Sequence, residues 1–159
     1  MEYIKNFPDF GKKIENYVIH DHIQDLMASG FKDISLFYIQ KTNIDYYFTN
    51  GFFEKKYLEE KLIHKDLRIQ ALYASKAVFI PWTSLAQQDY VLKQHKEICQ
   101  ISNGLSLLDF INSETALILH LGFLEEEGME NVISCETTLK YLFFNLKNIT
   151  QTLQKIKIL

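Results

Sequence analysis

Two pairs of strand-like segments in this chain carry apolar side chains on both of their alternating faces. Residues 33–40 read Asp-Ile-Ser-Leu-Phe-Tyr-Ile-Gln, and Lys41-Thr42-Asn43 turns them into a Tyr- and Phe-rich run from Ile44 to Phe48. Asn103-Gly104 opens the second pair, with Leu105 to Ile111, a turn at Asn112-Ser113-Glu114, and Thr115 to Phe123. A hairpin that wets one face alternates apolar and polar residues with a period of two. These segments do not, so both faces of their sheet must be covered, and the cover has to come from helices elsewhere in the chain.

The rest of the sequence supplies such helices. Pro8 suits the first turn of a short helix reaching about Tyr17, and Asp21 is placed to cap a second helix through Ile23, Leu26 and Met27 that Gly30 ends. Gly51 to Leu62 shows an aromatic edge of Phe52, Phe53 and Tyr57, and a further helical stretch spans Asp66 to Ala74. A short strand from Ala77 to Ile80 follows and is stopped by Pro81. Leu85 to Ile101 reads as a polar helix with a thin stripe around Val91 and Ile98, lying on the surface. After the acidic loop Glu125-Glu126-Glu127-Gly128, Ser134 is placed to cap a long helix with a stripe of Leu139, Leu142, Phe143, Leu146, Ile149, Leu153 and Ile156. The order gives one domain over residues 1–159: a PAS-like α/β/α sandwich with a five-stranded, mostly antiparallel sheet.

Composition narrows the function classes. Lys and Arg total 17 against 20 Asp and Glu, a net charge of -3, so there is no broad positive field for direct nucleic-acid binding. The start lacks the pattern of a secretory signal and no segment has the roughly 20 apolar residues of a membrane span, which sets the expectation of a cytoplasmic protein. Cys99 and Cys135 are far apart and read as buried small hydrophobes. Asn148-Ile149-Thr150 matches a glycosylation acceptor but has no meaning without secretion. The chain carries no glycine-rich phosphate loop, no Gly-x-Ser-x-Gly elbow and no paired-histidine motif, so an enzyme is not expected and no catalytic residue is assigned.

Between Phe53 and Trp82 the chain offers large apolar area with few hydrogen-bonding groups, the composition of a small-molecule pocket. Tyr57 follows Phe53 by four residues, Asp66 lies nine further, and Trp82 follows the short strand. Each has a plainer reading: Asp66 as a helix cap, and Phe53 and Trp82 as core. The hydroxyl of Tyr57 needs a partner if buried. His120 sits mid-strand with Ala116 and Ile118, either as a satisfied core histidine or as a donor to a ligand. His95 and Cys99 are four apart on a helix, and His20 and His22 flank Asp21, but neither pair has a third ligand nearby in sequence, so no metal site and no cofactor are expected.

The spacing of Phe53, Tyr57, Asp66-Leu67 and Trp82, with Asn103-Gly104-Leu105-Ser106-Leu107 opening the last hairpin, resembles the autoinducer-binding domain of LuxR-type quorum-sensing regulators. The resemblance spans nearly the whole chain. It implies a pocket for an N-acyl homoserine lactone or an analogue, in which Asp66 accepts a hydrogen bond from the ligand amide while Tyr57 and Trp82 wall the acyl chain and the lactone ring. Phe53 stands where that family has a Trp, Leu67 where it has a Pro, and the apolar Ile118 where relatives can place a hydroxyl. Replacement donors would then be Tyr46, Tyr47, Thr49 or His120, or the ligand would be a less polar signal molecule. The resemblance also implies dimerisation through a long helix. Because the chain stops at Lys155-Ile156-Lys157-Ile158-Leu159, it is expected to act without a DNA-binding module of its own, as an excised or solo sensor that forms a homodimer or pairs with a full-length regulator. Two other readings stand beside it: a ligand-free interaction module that modulates such a regulator, and a haem-binding sensor using His95 or His120.

Overall fold

The computed structural model describes residues 7–123 and 136–158. The acidic loop at 125–128, the cap at Ser134 and Cys135 therefore lie outside the described residues. Six strands form one sheet in the order β1-β3-β2-β6-β5-β4: β1 (Phe10–Lys13), β2 (Asp33–Ile39), β3 (Ile44–Phe48), β4 (Phe79–Pro81), β5 (Asn103–Asn112) and β6 (Thr115–Phe123). β1 runs parallel to β3, and the other pairings are antiparallel. Among the described residues, five α-helices cover it: α1 (Tyr17–Ala28), α2 (Gly51–Glu59), α3 (Leu67–Ser75), α4 (Tyr90–Cys99) and α5 (Glu136–Ile158). The expected α/β/α sandwich is present, with six strands where five were expected.

The additional strand is the segment expected to be the first helix. Gly11 is a poor helix former, and the Phe10 ring finds more contact on the sheet, edge-on to Phe37, Tyr46 and Tyr57 at 5.8, 5.5 and 6.1 Å between centroids. The parallel edge pairing is fastened by Ile14 N–H donating to the Tyr46 carbonyl. α1 begins at Tyr17 rather than Asp21, because Asn16 Oδ1 accepts from the N–H groups of Val18 and Ile19 at 2.9 and 3.1 Å. Gly30, at φ 111°, then closes its C-terminus as the sequence suggested.

All seven residues of β2 are buried, as its two-sided apolar pattern requires. On one face, α1 and α5 pack Ile19, Ile23, Leu26, Leu142, Leu146 and Ile149 onto Ile34, Leu36, Leu117, Leu119 and Leu121. The stripe of α5 ends before Ile156, which is 43% exposed. On the other face, α2, α3 and α4 pack onto Phe37, Ile39, Phe48, Leu108 and Ile118. α2 is shorter than its pattern suggested and leaves Phe52 exposed, since Lys61 takes a left-handed conformation and a 3-10 turn at Leu62–Lys65 follows. α4 begins only at Tyr90, capped by Asp89, because the Gln87 amide donates to the carbonyls of Trp82 and Leu85 and holds the preceding segment as a closed loop. It is not a purely surface helix: Val91, Leu92 and His95 are buried, and α4 carries His95 to the sheet.

Candidate functional site

The second face is polar at its centre. Register places Ser35 of β2 opposite His120 of β6, and His120 opposite Ser106 of β5. Three polar side chains thus form a row across three neighbouring strands, all on the side facing α2–α4, and all essentially inaccessible to water. The Trp82 indole N–H donates to Ser106 Oγ at 2.8 Å, and Ser106 Oγ lies 2.6 Å from His120 Nδ1. Ser106 has one proton to give, so it donates to Nδ1, and the neutral imidazole then carries its own proton on Nε2. Burial, and next the charge of Arg68, hold His120 well below the usual histidine range, which agrees with a neutral ring.

Asp66, at the start of α3, projects into this row from the helical side and is fully buried. Its Oδ1 accepts from the backbone N–H of Arg68 at 3.1 Å and from Arg68 Nε at 2.9 Å. Its Oδ2 accepts from Tyr57 Oη at 2.7 Å and from the second Arg68 terminal nitrogen at 2.8 Å. A carboxylate offers about four acceptor positions, and here all four are used within the chain. Burial alone would raise the Asp66 carboxyl, but the guanidinium outweighs it and holds it at about 2. Tyr57 is pushed well above the usual phenol range by burial and by Asp66, so its hydroxyl stays protonated and donates.

Arg68 escaped the sequence reading, although it fills the middle of the site. It is fully buried, and its guanidinium carbon stands 4.9 Å from the Trp82 ring centroid in a cation-π contact. Its Nη1 has no hydrogen-bond partner, and neither do His120 Nε2 nor Ser35 Oγ. His120 Nε2 lies 3.8 Å from Asp66 Oδ2, beyond hydrogen-bond reach. Around a saturated carboxylate, then, the site keeps two N–H donors and one hydroxyl unused. Unpaired buried polar groups cost about 1–3 kcal/mol each, and a natural chain retains them for a reason. In sequence, the trace of this centre was a polar residue breaking the apolar phase of each of three strands: Ser35, Ser106 and His120.

The structure thus brings Tyr57, Asp66, Trp82 and His120 together, and Asp66 also serves as the helix cap. Phe53 borders the group, with its ring 5.7 Å from Tyr57 and 4.7 Å from His95. Ile118 lies one step along β6 from His120 on the same face, in the same buried cluster as Phe37 and Leu108. Tyr46 stands apart at the sheet edge, where with Phe10, Leu58 and Ile63 it lines a cavity of about 390 Å³. Of the other suggested donors, Thr49 donates to Asp33 and Tyr47 Oη faces His20. A larger open cleft of about 790 Å³ lies at the far end of the same layer, lined by Phe7, Ile39, Tyr73, Phe110 and Ala116 among others. Neither cavity is lined by Asp66, Arg68 or His120. Between the polar row and the large cleft, β6 and β5 step through Ile118 opposite Leu108 to Ala116 opposite Phe110. At about 3.3 Å per residue, that distance is roughly 13 Å.

A mixed sheet wrapped by helices, with aromatics and a few polar groups buried under one helical layer, defines an α/β/α sandwich. No protein-family model matches the sequence, and no curated protein matches it. Among solved structures, the fold is that of LuxR-family autoinducer-binding domains. The N-acylhomoserine lactone dependent LuxR family transcription factor CepR2 from Burkholderia cenocepacia superposes with a TM-score of 0.55 at 14% identity, over 79% of this chain and 90% of that one. The VqsR LBD domain from Pseudomonas aeruginosa gives 0.56 at 10% identity, over 86% and 98%. Both likenesses are of fold. Among the described residues, no helix is long and apolar enough to cross a membrane.

Proposed function

We propose that this chain is a non-enzymatic sensor for a small amphipathic signal, with a head group rich in hydrogen-bond acceptors and an apolar tail. The observation that carries the reading is the set of unused donors, Arg68 Nη1 and His120 Nε2, buried beside Ser35 Oγ around a carboxylate that has no acceptor position left. Such a centre favours a carbonyl or carboxylate oxygen over an amide N–H. The acyl homoserine lactones named for the CepR2 relative carry such carbonyls, and their ring-opened carboxylates fit a buried guanidinium better still. The tail would follow Ile118 and Leu108 toward the open cleft at Ala116 and Phe110, with Tyr57, Phe53 and Trp82 as walls. On this reading the protein works in the cytoplasm in transcription regulation of the quorum-sensing kind, through a homodimer or through a full-length regulator.

Thermal unfolding against matched acyl lactones and ring-opened acyl homoserines tests the reading. A ligand at a hundred times its dissociation constant adds about 2.7 kcal/mol to the folded state, or roughly 5–10 °C for a domain of this size. Arg68→Lys should abolish the preference for the carboxylate form. No shift with either series, and no co-purified molecule by mass spectrometry, would overturn it.

A second reading is favoured by one feature of α5. Tyr141 and Phe144 are 38% and 66% exposed, one helical turn apart. A chain whose polar centre is filled by its own Arg68 could act by docking this helix face on a regulator without any ligand. Light scattering with a candidate partner, with and without Phe144→Glu, separates this from ligand sensing.

A further inference from the structure

Beside the polar row lies a second cluster with a different chemistry. Asp33 at the start of β2, and His95 and Cys99 one turn apart on α4, hold a carboxylate oxygen, an imidazole nitrogen and a thiol sulfur all within 4.8 Å of one another. The sequence offered only the His95–Cys99 pair; β2 supplies the missing member from 62 residues away. We propose that Asp33, His95 and Cys99 form a binding site for a zinc-type divalent cation, with a fourth position left for water or an exogenous ligand.

The arrangement around the three groups supports this. A metal-binding histidine usually donates its second ring N–H to a carbonyl or carboxylate, which fixes the ring and frees the other nitrogen for the metal. Here His95 Nδ1 faces the Ile101 carbonyl at 3.1 Å, and Nε2 points at Asp33 Oδ2, 2.5 Å away. The other Asp33 oxygen accepts from Thr49 Oγ1 at 2.9 Å, so the carboxylate is oriented as well. Oxygen, nitrogen and sulfur together match the donor set of zinc, and three protein ligands with an open fourth position are the pattern of accessible zinc sites. Asp33 and His95 are buried, while Cys99 is only partly covered and gives the ion a way in from solvent.

Charge also balances. Both His95 nitrogens face acceptors, with a proton shared between Nε2 and Asp33 Oδ2, and Cys99 is a thiol. An entering divalent cation displaces the proton between Nε2 and Asp33 and the thiol proton, forming a metal–nitrogen and a metal–sulfur bond. Two positive charges enter and two protons leave, so the buried cluster is neutral in both states.

The site ties β2 to α4, and the His95 ring stands edge-on to Trp82 at 4.9 Å between centroids. Occupancy should therefore register in the fluorescence of Trp82, the chain's one tryptophan. The test titrates Co²⁺, then Zn²⁺, into the reduced full chain. The expected result is one equivalent bound, a thiolate-to-cobalt charge-transfer band, a change in Trp82 emission, and displacement of cobalt by zinc. Cys99→Ala, at a partly exposed position that leaves the fold intact, should remove the charge-transfer band and weaken binding at least tenfold. Cys135→Ala should change neither. Absence of a stoichiometric cobalt spectrum in the folded protein, or equal binding by Cys99→Ala, overturns the proposal. Neither outcome depends on whether an acyl signal binds.

Discussion

The two faces of the sheet are built from the same strands but to different specifications. Toward α1 and α5, the buried side chains are almost all aliphatic, and the buried carboxylate of Asp109 sits at the rim, where α5 supplies Lys147 Nζ at 2.8 Å and Thr150 Oγ1 at 3.0 Å. Toward α2–α4, the same strands present aromatic rings around a fully buried ion pair, two histidines and three polar atoms without partners. The first face needs only apolar area to hold together. The second carries desolvated charge that stabilises little beyond what well-packed hydrophobes would. The division follows: apolar burial toward α1 and α5 holds the domain together, while the polar groups toward α2–α4 are kept at a cost in desolvation.

The largest effect should come from splitting the ion pair. Arg68→Met leaves Asp66 as an uncompensated buried carboxylate, and should cost about 3–5 kcal/mol in chemical denaturation. Adding Asp66→Asn removes the stranded charge while keeping the helix cap and an acceptor for Tyr57, so the double variant should regain most of that loss. On the aliphatic face, Leu119→Ala should cost a comparable 2–5 kcal/mol, as cavity formation does, but Asp66→Asn should not restore any of it. If Arg68→Met is nearly neutral, the two faces do not differ in the way drawn here.

Acid sharpens the contrast at a somewhat smaller scale. The Asp66 carboxyl titrates at about 2 when folded against an ordinary value of 3.8. An acid with a depressed folded-state pKa contributes stability above its unfolded value and loses it as pH falls, here on the order of 2–3 kcal/mol between roughly pH 4 and pH 2. His120 is also depressed, by burial first and by Arg68 second. It takes up a proton below about pH 6.5 in the unfolded chain but resists doing so when folded, so its contribution too is lost as pH falls below that value. Both groups act in the same direction and on the same face. Stability should therefore decline from about pH 6.5 downward, with His120→Gln flattening the upper part of the curve and Asp66→Asn the lower. A stability profile that is flat from pH 7 to pH 3 would contradict this.

The aliphatic face was the more legible of the two in sequence. Two-sided apolar strands and the α5 stripe need only periodicity, and the strands and the stripe from Leu142 to Leu153 are buried as the pattern put them, Ile156 being the exception. Residues that depend on distant partners were harder to read. Phe10 belongs to a strand because of rings in β2, β3 and α2, which no window around Pro8 contains. Arg68, two residues after an acidic cap on a short helix, has no sequence pattern that marks it as buried. Asp33 and His95 meet across most of the fold. Of the seven residues suggested for ligand binding, Tyr57, Asp66, Trp82 and His120 do converge in one buried group. Their spacing gave no indication that the carboxylate would be occupied by a neighbour on its own helix.

The smallest of these effects isolates the hinge between the faces, β5, where successive residues serve opposite layers. Gly104 lies under Trp82 so closely that a Cβ would come within 2.5 Å of three indole carbons. Gly104→Ala therefore has to displace the indole, which is held on its face by Arg68 and at its nitrogen by Ser106, at a cost of about 1–3 kcal/mol. Ser106→Ala leaves the backbone alone but removes the acceptor of the indole N–H and the proton donor to His120 Nδ1, about 1–3 kcal/mol for the groups left unpaired. Leu107, the next residue, faces the aliphatic layer, and Leu107→Val should cost a similar amount. The three variants are thus near-equal in stability and differ in where they report. Emission from Trp82 should shift in Gly104→Ala and Ser106→Ala and stay fixed in Leu107→Val. A shift in all three would mean that the sheet transmits strain from one layer to the other, and that the two faces cannot be treated as separate devices.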